Sequence, residues 1–436
     1  MDIQYWNREV ETLDREGLAR LQLKGLKETV DRALQTEFYK RRLQKTGIRS
    51  ADDIRSLDDL KKIPYTTKND LREAYPRGLL SVDTDRVVRL HTSSGTTGTP
   101  TVIYHTTEDL ANWTELCARG IVATGSSSRD VFQNMMGYGL FTGGLGLHYG
   151  AETVGMLVIP SSSGNTARQL RLMKDFQTTV VHVTPSYMLH IQSRIEPEGY
   201  KREDLNLKKA YLGAEAYSES TRRKIEELMG IDAYNSYGMS EMNGPGVAFE
   251  CVFKDSMHIW EDSYIVEMYD AARQRELGED EEGELVLTTL RRTATPLLRY
   301  RSGDLTVLNG APCRCGRTHR RIARIKGRTD DMLIINGVNV YPSQIESILM
   351  KIPEVGTNYQ ICIEKDGSLD RLTVKTEIYS KMFTGDVQVL EELKRRIREQ
   401  MKAAILINPA VELHEPGGLP VYEGKAKRVF DTRPKD

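Results

Sequence analysis

The sequence predicts an α/β protein in two parts. A large N-terminal domain of layered α/β structure with a β-rich distal part covers residues 1–328, and a small α+β C-terminal domain covers residues 329–436. Three observations predict it. A chain of 436 residues exceeds one ordinary core, since domains of roughly 150 residues are the norm. From about residue 87, short β-type runs alternate with stretches of helical periodicity, the pattern of helices layered on a largely parallel sheet. At residues 327–331, Gly-Arg-Thr-Asp-Asp breaks that pattern, and the remainder mixes short strands with two helices.

The elements follow in order. Residues 7–45 read as helical, because Leu13, Leu18, Leu21, Leu23, Leu26, Val30 and Leu34 recur roughly at helical spacing; the basic Arg41, Arg42 and Lys45 before Gly47 mark the stop. VVRLH, TVIYH, VGMLVIP, TVVHVTP, KKAYLGAE and IDAYNSYG read as strands. DLANWTELCARGIVA, NTARQLRLMKDF, PSYMLHIQSRIE and SESTRRKIEELMG read as helices between them. Residues 257–289 look hairpin-like: MHIWEDSYIVEMYD, a solvated acidic turn at 279–282, then ELVLTTL. In the last hundred residues, MLIING, TNYQICIE and RLTVKTEIY are strands, SQIESILMK and VLEELKRRIREQMKAA are helices, and the Gly/Pro-rich tail from Leu413 reads as irregular.

Composition excludes several function classes. Lys and Arg total 61 against 62 for Asp and Glu, a balance that gives no global grip on nucleic acid or an anionic membrane. No apolar run approaches the ~18 residues of a membrane span, and the first residues lack a signal-peptide core. Five cysteines are too few for a disulfide scaffold, and an odd count suits a reducing compartment, so a cytoplasmic location is expected. A homodimer is the ordinary expectation for a soluble enzyme.

Residues 91–100, HTSSGTTGTP, carry the most chemistry. Ser93, Ser94, Gly95, Thr96, Thr97 and Gly98 combine small residues, which let backbone approach a ligand, with hydroxyls and amides that donate to phosphate oxygens. No Gly-Lys-Ser/Thr closes the loop, so it is not a Walker motif. Tyr237, Gly238, Met239, Ser240 and Glu241 offer an aromatic face, a hydroxyl and a carboxylate able to hold Mg²⁺. In Tyr300-Arg301-Ser302-Gly303-Asp304 the carboxylate suits ribose hydroxyls, and Arg328 supplies a cation beside a possible hinge.

In this order, these motifs resemble the adenylate-forming superfamily of acyl-CoA synthetases, luciferases and peptide-synthetase adenylation domains, and are most similar to its phenylacetate–CoA ligases. GRTDDMLIINGVNVYPSQIE resembles the stretch spanning the interdomain hinge, and LPVYEGKAKR the segment bearing the catalytic lysine. The opening residues and GYGLFTGGLGLHYGAE look like the same subfamily, so the likeness spans essentially the whole chain. Thr101 stands where many members have lysine, so lysine help to the phosphates has to come from elsewhere.

The resemblance implies ATP-dependent ligation of an aryl-acetic acid, phenylacetate first, to coenzyme A through an acyl-adenylate. It implies Lys425 as the catalytic cation on the C-terminal domain, the 93–98 loop on the phosphates, Ser240 near the α-phosphate and Glu241 on Mg²⁺. Asp304 and Arg328 fall to the ribose, and Ala214, Glu215, Asn235, Ser236 and Tyr237 to the adenine. Asp330 becomes the hinge, Gly337 lines the pantetheine path, and Tyr138, Phe141, Gly143, Gly144 and Pro245 line the acyl pocket. Two rival readings are an adenylation enzyme that passes its acyl group to a carrier protein or amine, and a nucleotide-binding module without turnover.

One constellation stands outside these motifs. Cys251, His258, Cys313 and Cys315 offer three thiolates and an imidazole, a closed structural Zn²⁺ set, with His319 as an alternative fourth ligand. Cys117 and Cys362 sit in apolar patterns and read as core residues.

Overall fold

The computed structural model describes residues 3–93, 99–366, 369–382, 387–422 and 426–433. The chain forms two compact units: residues 1–162, 180–182 and 234–324 in the first, and residues 163–179, 183–233 and 325–436 in the second.

The first unit begins with helices. The single run expected over 7–45 is instead Arg8–Glu11, Arg15–Leu34 and Glu37–Lys45. Asp14 and Thr36 interrupt it: their side chains accept hydrogen bonds from the amides of Gly17 and Tyr39 and so cap new helices. Strands Arg89–Thr92 and Val102–His105 pair antiparallel on either side of the Ser/Thr/Gly loop. Val131–Asn134 pairs in parallel with Leu157–Ile159 and with residues 180–182. The sequence pattern missed that strand, because VFQN is too short to show a period. Helices Thr107–Ala123 and Leu145–Val154 pack closely because two positions lack a side chain. A Cβ on Gly146 would sit 2.4 Å from Trp113 Nε1, and one on Gly150 would sit 2.6 Å from Cys117 Cβ.

The β-rich distal part is antiparallel. Its strands run Arg275–Leu277, Tyr264–Asp270, Glu282–Thr289, Tyr300–Asn309, Arg321–Ile322, Met257–Ile259, Gly244–Glu250 and then the end of Asp232–Met239. The hairpin expected across 257–289 forms around the acidic turn, but only from residue 264 onward. Met257–Ile259 pairs with Gly244–Glu250 and Arg321–Ile322, while Tyr264–Asp270 pairs with Glu282–Thr289. The acidic turn at 279–282 is exposed, as its charge requires.

In the second unit, helices Thr166–Asp175, Pro185–Arg194 and Glu219–Met229 and strand Lys209–Leu212 fall where the sequence put them. A four-stranded sheet runs Ala410–His414, Leu369–Ile378, Val355–Asp366, Val429–Asp431. Helix Val387–Ile405 buries Leu393, Ile397, Met401 and Ile405, one face at helical spacing, in that sheet's core. The two outer strands lie in or beside the tail expected to be irregular. Each is short and pairs in parallel with a distant segment, so no local signal announces it. Among the described residues no helix is long and apolar enough to cross a membrane.

Candidate active site

Strand Asp232–Met239 carries the YGMSE motif into a short turn, Ser240–Met242, and back through Gly244–Glu250. The register slips between Tyr237 and Gly238, and glycine is required there: a Cβ on Gly238 would lie 1.9 Å from the Gly244 carbonyl oxygen. This bulge re-aims the residues that follow. The Tyr237 hydroxyl donates to Asp304 Oδ2 at 2.6 Å. The two motifs, 67 residues apart, therefore share one hydrogen bond. Asp304 is buried, and its own amide donates to Ser302 Oγ at 3.0 Å. Behind the motif, the Asn235 amide donates to Glu250 Oε2 at 2.7 Å.

Ser240 and Glu241 are buried. Ser240 Oγ meets Thr142 Oγ1 at 3.1 Å. Among the described residues, the Glu241 carboxylate takes one hydrogen bond, a long one from Thr101 Oγ1 at 3.5 Å. Thr101 Oγ1 in turn accepts from the Ser93 hydroxyl at 2.7 Å, and the Ser93 amide donates to the Thr101 carbonyl. Ser93 and Thr101 thus fix both ends of the Ser/Thr/Gly loop beside Glu241. Ser94, Gly95, Thr96, Thr97 and Gly98 lie outside the described residues, as does Lys425.

Sequence reasoning missed Arg292. It is 1% exposed and donates from Nη1 to the Glu241 carbonyl oxygen at 2.9 Å. Its Nε and Nη2 find no partner among the described residues. Burial lowers its pKa, and the charges of Asp109 and Glu241 oppose that. The neighbouring Arg291 is 44% exposed on Glu115, and nothing in the sequence separates the two. Burial also lowers the pKa of His91 and of His105, each next to the Arg292 charge. Both rings pack on Trp113.

Two of the expected acyl-pocket residues, Tyr138 and Gly144, meet at Asn134. Its Nδ2 donates to the Tyr138 hydroxyl at 2.9 Å and to the Gly144 carbonyl at 2.6 Å. Its Oδ1 must therefore accept the bond from His182 Nδ1 at 3.1 Å. The Pro245 carbonyl accepts from Trp113 Nε1 at 2.7 Å, Gly143 and Gly144 are buried, and Phe141 is 45% exposed. A Cβ on Gly143 would press on the Phe141 ring at 2.4 Å.

In the second unit, the Glu215 carboxylate accepts from Ser186 and from the Ala426 amide, after Ala214 takes a left-handed backbone with φ of +65°. Arg328 donates to Asp330 at 2.8 Å. Asn336 and Gly337, with φ of +50° and +82°, turn the hairpin from Leu333–Ile335 to Val338–Val340. Open space surrounds Gly337, and Asn336 is pinned to Asp370 through both residues' amides.

The metal candidates come together in the first unit. Cys251, His258, Cys313 and Cys315 are buried, and their ligand atoms all lie within 4.8 Å of one another. Cys251 Sγ stands 3.7 Å from Cys313 Sγ, and Cys315 Sγ 3.3 Å from His258 Nε2. A tetrahedron with metal–sulfur bonds of about 2.3 Å has edges of about 3.8 Å. His258 Nδ1 bonds the His319 carbonyl at 3.2 Å, which fixes the tautomer that leaves Nε2 free to ligate. His319 is occupied elsewhere: its Nδ1 accepts from the Glu261 amide and its Nε2 meets the Val10 carbonyl. The fourth position therefore belongs to His258. The Cys251 thiol is pushed far above its ordinary value, first by contact with Cys313, while Cys315 is pulled far below, first by contact with Cys251. Three thiols this close do not all ionise without a cation. Cys117 is buried as expected, but Cys362 is only half-buried on its strand.

Residues 19–289 match the family described as "AMP-binding enzyme", and residues 337–433 match "AMP-binding enzyme C-terminal domain". The chain is 44% identical to a phenylacetate-coenzyme A ligase of Thermus thermophilus, over 98% of this chain and 99% of that one. It is 42% identical to the phenylacetate-coenzyme A ligase of Escherichia coli, over 97% of each. Among solved structures, 2-hydroxyisobutyryl-CoA ligase in its postadenylation state superimposes with a TM-score of 0.91 at 26% identity, covering 98% of this chain and 92% of that one. The same enzyme in its thioesterification state gives a TM-score of 0.72.

Proposed function

The chain belongs to the AMP-binding enzyme family, and we infer from that membership and from the site that it is an AMP-forming acid–thiol ligase. It joins phenylacetate to coenzyme A through an acyl-adenylate, the activity its relatives' names carry. The observation that supports the reading most is the hydrogen bond from Tyr237 to Asp304 beside Ser240 and Glu241, which unites two motifs of different origin in one site.

Two anions, a carboxylate and a triphosphate, must meet in line at the α-phosphorus, so charge repulsion is the main barrier. A carboxylate oxygen bonds to phosphorus as the bond to pyrophosphate breaks. Lys425 stabilises the charge of that transition state, with the 93–98 loop on the β- and γ-phosphates and Ser240 near the α-phosphate. Glu241, a buried carboxylate with one long protein contact, fits an oxygen-preferring cation. Mg²⁺ held there supplies charge neutralisation for the phosphates. Asp304 and Arg328 take the ribose; Ala214, Asn235, Ser236, Tyr237, Gly238 and Met239 surround the adenine; Tyr138, Phe141, Gly143, Gly144 and Pro245 surround the phenyl ring.

The CoA thiol then attacks the acyl carbonyl and AMP leaves. For this step Lys425 withdraws as the C-terminal domain, residues 329–436, turns about Asp330. The Arg328–Asp330 pair is partly exposed, worth at most about 1 kcal/mol, and so opposes the turn only weakly. Gly337, without a side chain and with open space around it, leaves the thiol its path. The Cys251, His258, Cys313 and Cys315 set holds a structural Zn²⁺. Three thiolate ligands and a free CoA thiol suit a reducing compartment, the cytoplasm.

The test supplies ATP, Mg²⁺, CoA and a panel of aryl acids to the purified protein. AMP release that requires both phenylacetate and CoA, with no protein acceptor, is expected. Release that requires a carrier protein would overturn the reading. Lys425→Ala should cripple adenylate formation and spare thioester formation from pre-made phenylacetyl-adenylate.

A further inference from the structure

The chain leaving Lys425 is tied down at successive points, and one of the ties is a carboxylate the reaction does not consume. Glu215 Oε1 accepts from the Ala426 amide at 2.7 Å and from Ser186 Oγ at 2.7 Å, while Oε2 accepts from the Ser186 amide at 3.1 Å. Ser186 lies in the first turn of helix Pro185–Arg194, whose positive end favours a carboxylate there. Burial raises the Glu215 pKa; the bonds from Ala426 and Ser186 and the charge of Arg428 pull against that. Two residues on, Arg428 Nη1 donates to Asn358 Oδ1 at 2.7 Å and to the Tyr359 carbonyl at 3.1 Å, and its guanidinium lies over the Tyr359 ring. Strand Val429–Asp431 then joins Val355–Asp366.

Resting on the reading of Lys425 given above, we propose that Glu215 is the positioning residue of the adenylation step, holding the Ala426 backbone so that the preceding lysine is set on the reacting phosphate. The physical reason is reach. A slip of one residue in an extended chain moves a side chain's origin by about 3.3 Å, whereas misplacement by about 1 Å can already cost a hundredfold in rate. Arg428 and the strand fix the register three and four residues from the lysine, and Glu215 fixes it one residue away. Glu215 precedes the hinge at Asp330 and Ala426 follows it. The contact is therefore made for adenylation and released when the domain turns for thioester formation. Of its three acceptor bonds only one, from the Ala426 amide, comes from the mobile side, few enough to break in each turnover.

The experiment separates the half-reactions in the full-length enzyme. Pyrophosphate exchange with phenylacetate and ATP reads adenylation; pre-made phenylacetyl-adenylate with CoA reads the second step. Glu215→Ala should lower the exchange kcat by about 10- to 100-fold, the loss for one charge-assisted hydrogen bond. The KM for phenylacetyl-adenylate should stay within about twofold. Glu215→Gln, which keeps one acceptor oxygen, should recover part of the rate and serves as the test should the alanine variant misfold. In a Lys425→Ala background, Glu215→Ala should add no further loss. A multiplicative loss in the double variant, or a raised KM for phenylacetyl-adenylate, would overturn the proposal and make Glu215 an adenine contact. Full exchange activity in Lys425→Ala would instead remove the lysine reading on which the proposal rests. Loss in Lys425→Ala with none in either Glu215 variant would overturn the proposal alone.

Discussion

Removing the metal from the Cys251, His258, Cys313 and Cys315 cluster should destabilise the protein by an amount that follows from binding linkage. With free zinc a thousandfold above its dissociation constant, a site present only in the folded state adds about 4 kcal/mol. At roughly 2–4 °C per kcal/mol for large domains, chelation should lower the melting temperature by about 8–16 °C. All four ligand atoms are buried and lie within 4.8 Å of one another only in the folded chain, so metal binding is coupled to folding. Elemental analysis should give about one zinc per chain, and calorimetry with and without chelator reads the shift. Cys315→Ser, which replaces the fully buried thiol facing His258, should reproduce the chelated curve and become insensitive to chelator. Thiol alkylation supplies a second readout, because Cys251, Cys313 and Cys315 should react only after chelation while the half-buried Cys362 reacts throughout. A wild-type preparation free of zinc that melts at the same temperature as the loaded protein would refute the reasoning.

Asp304→Ala should weaken ATP binding by roughly 1.5–3 kcal/mol, the range for a charge-assisted hydrogen bond; titration calorimetry reads it, and unchanged affinity would reduce YRSGD to a turn. Gly337→Phe should slow thioester formation from pre-made acyl-adenylate while leaving pyrophosphate exchange intact. Its left-handed φ of +82° adds a folding cost of about 1–2 kcal/mol, visible as a small drop in melting temperature. His182, buried on Asn134, has a pKa lowered by burial to about 3. The folded state then binds fewer protons than the unfolded one between pH 3 and about 6.5, so this contribution is complete above 6.5 and is lost as pH falls. His182→Gln should flatten the melting-temperature profile across that window, by up to about 1.4 kcal/mol per pH unit; parallel profiles for the two proteins would end the argument.

Local order determined what the sequence by itself could give. Helices with their own caps and apolar face, such as Thr107–Ala123 and Glu219–Met229, announce themselves within a dozen residues. So do motifs whose chemistry is contiguous, such as YGMSE and YRSGD, and the four candidate metal ligands, whose residue types are rare enough to be noticed together. What only the tertiary structure decided is pairing between distant segments, because nothing local records a partner far along the chain. Tyr237 meets Asp304 across 67 positions, and Glu215 meets the Ala426 amide across 211. His258, not His319, stands with the three cysteines, because His319 has already spent both ring nitrogens on Glu261 and Val10. Strand Val429–Asp431 exists only because Val355–Asp366 offers it an edge. Arg291 and Arg292 make the same point in adjacent residues. Their side chains are chemically identical, yet one is solvated on Glu115 and the other is buried against the Glu241 carbonyl, since burial is set by the surrounding strands and not by the residue.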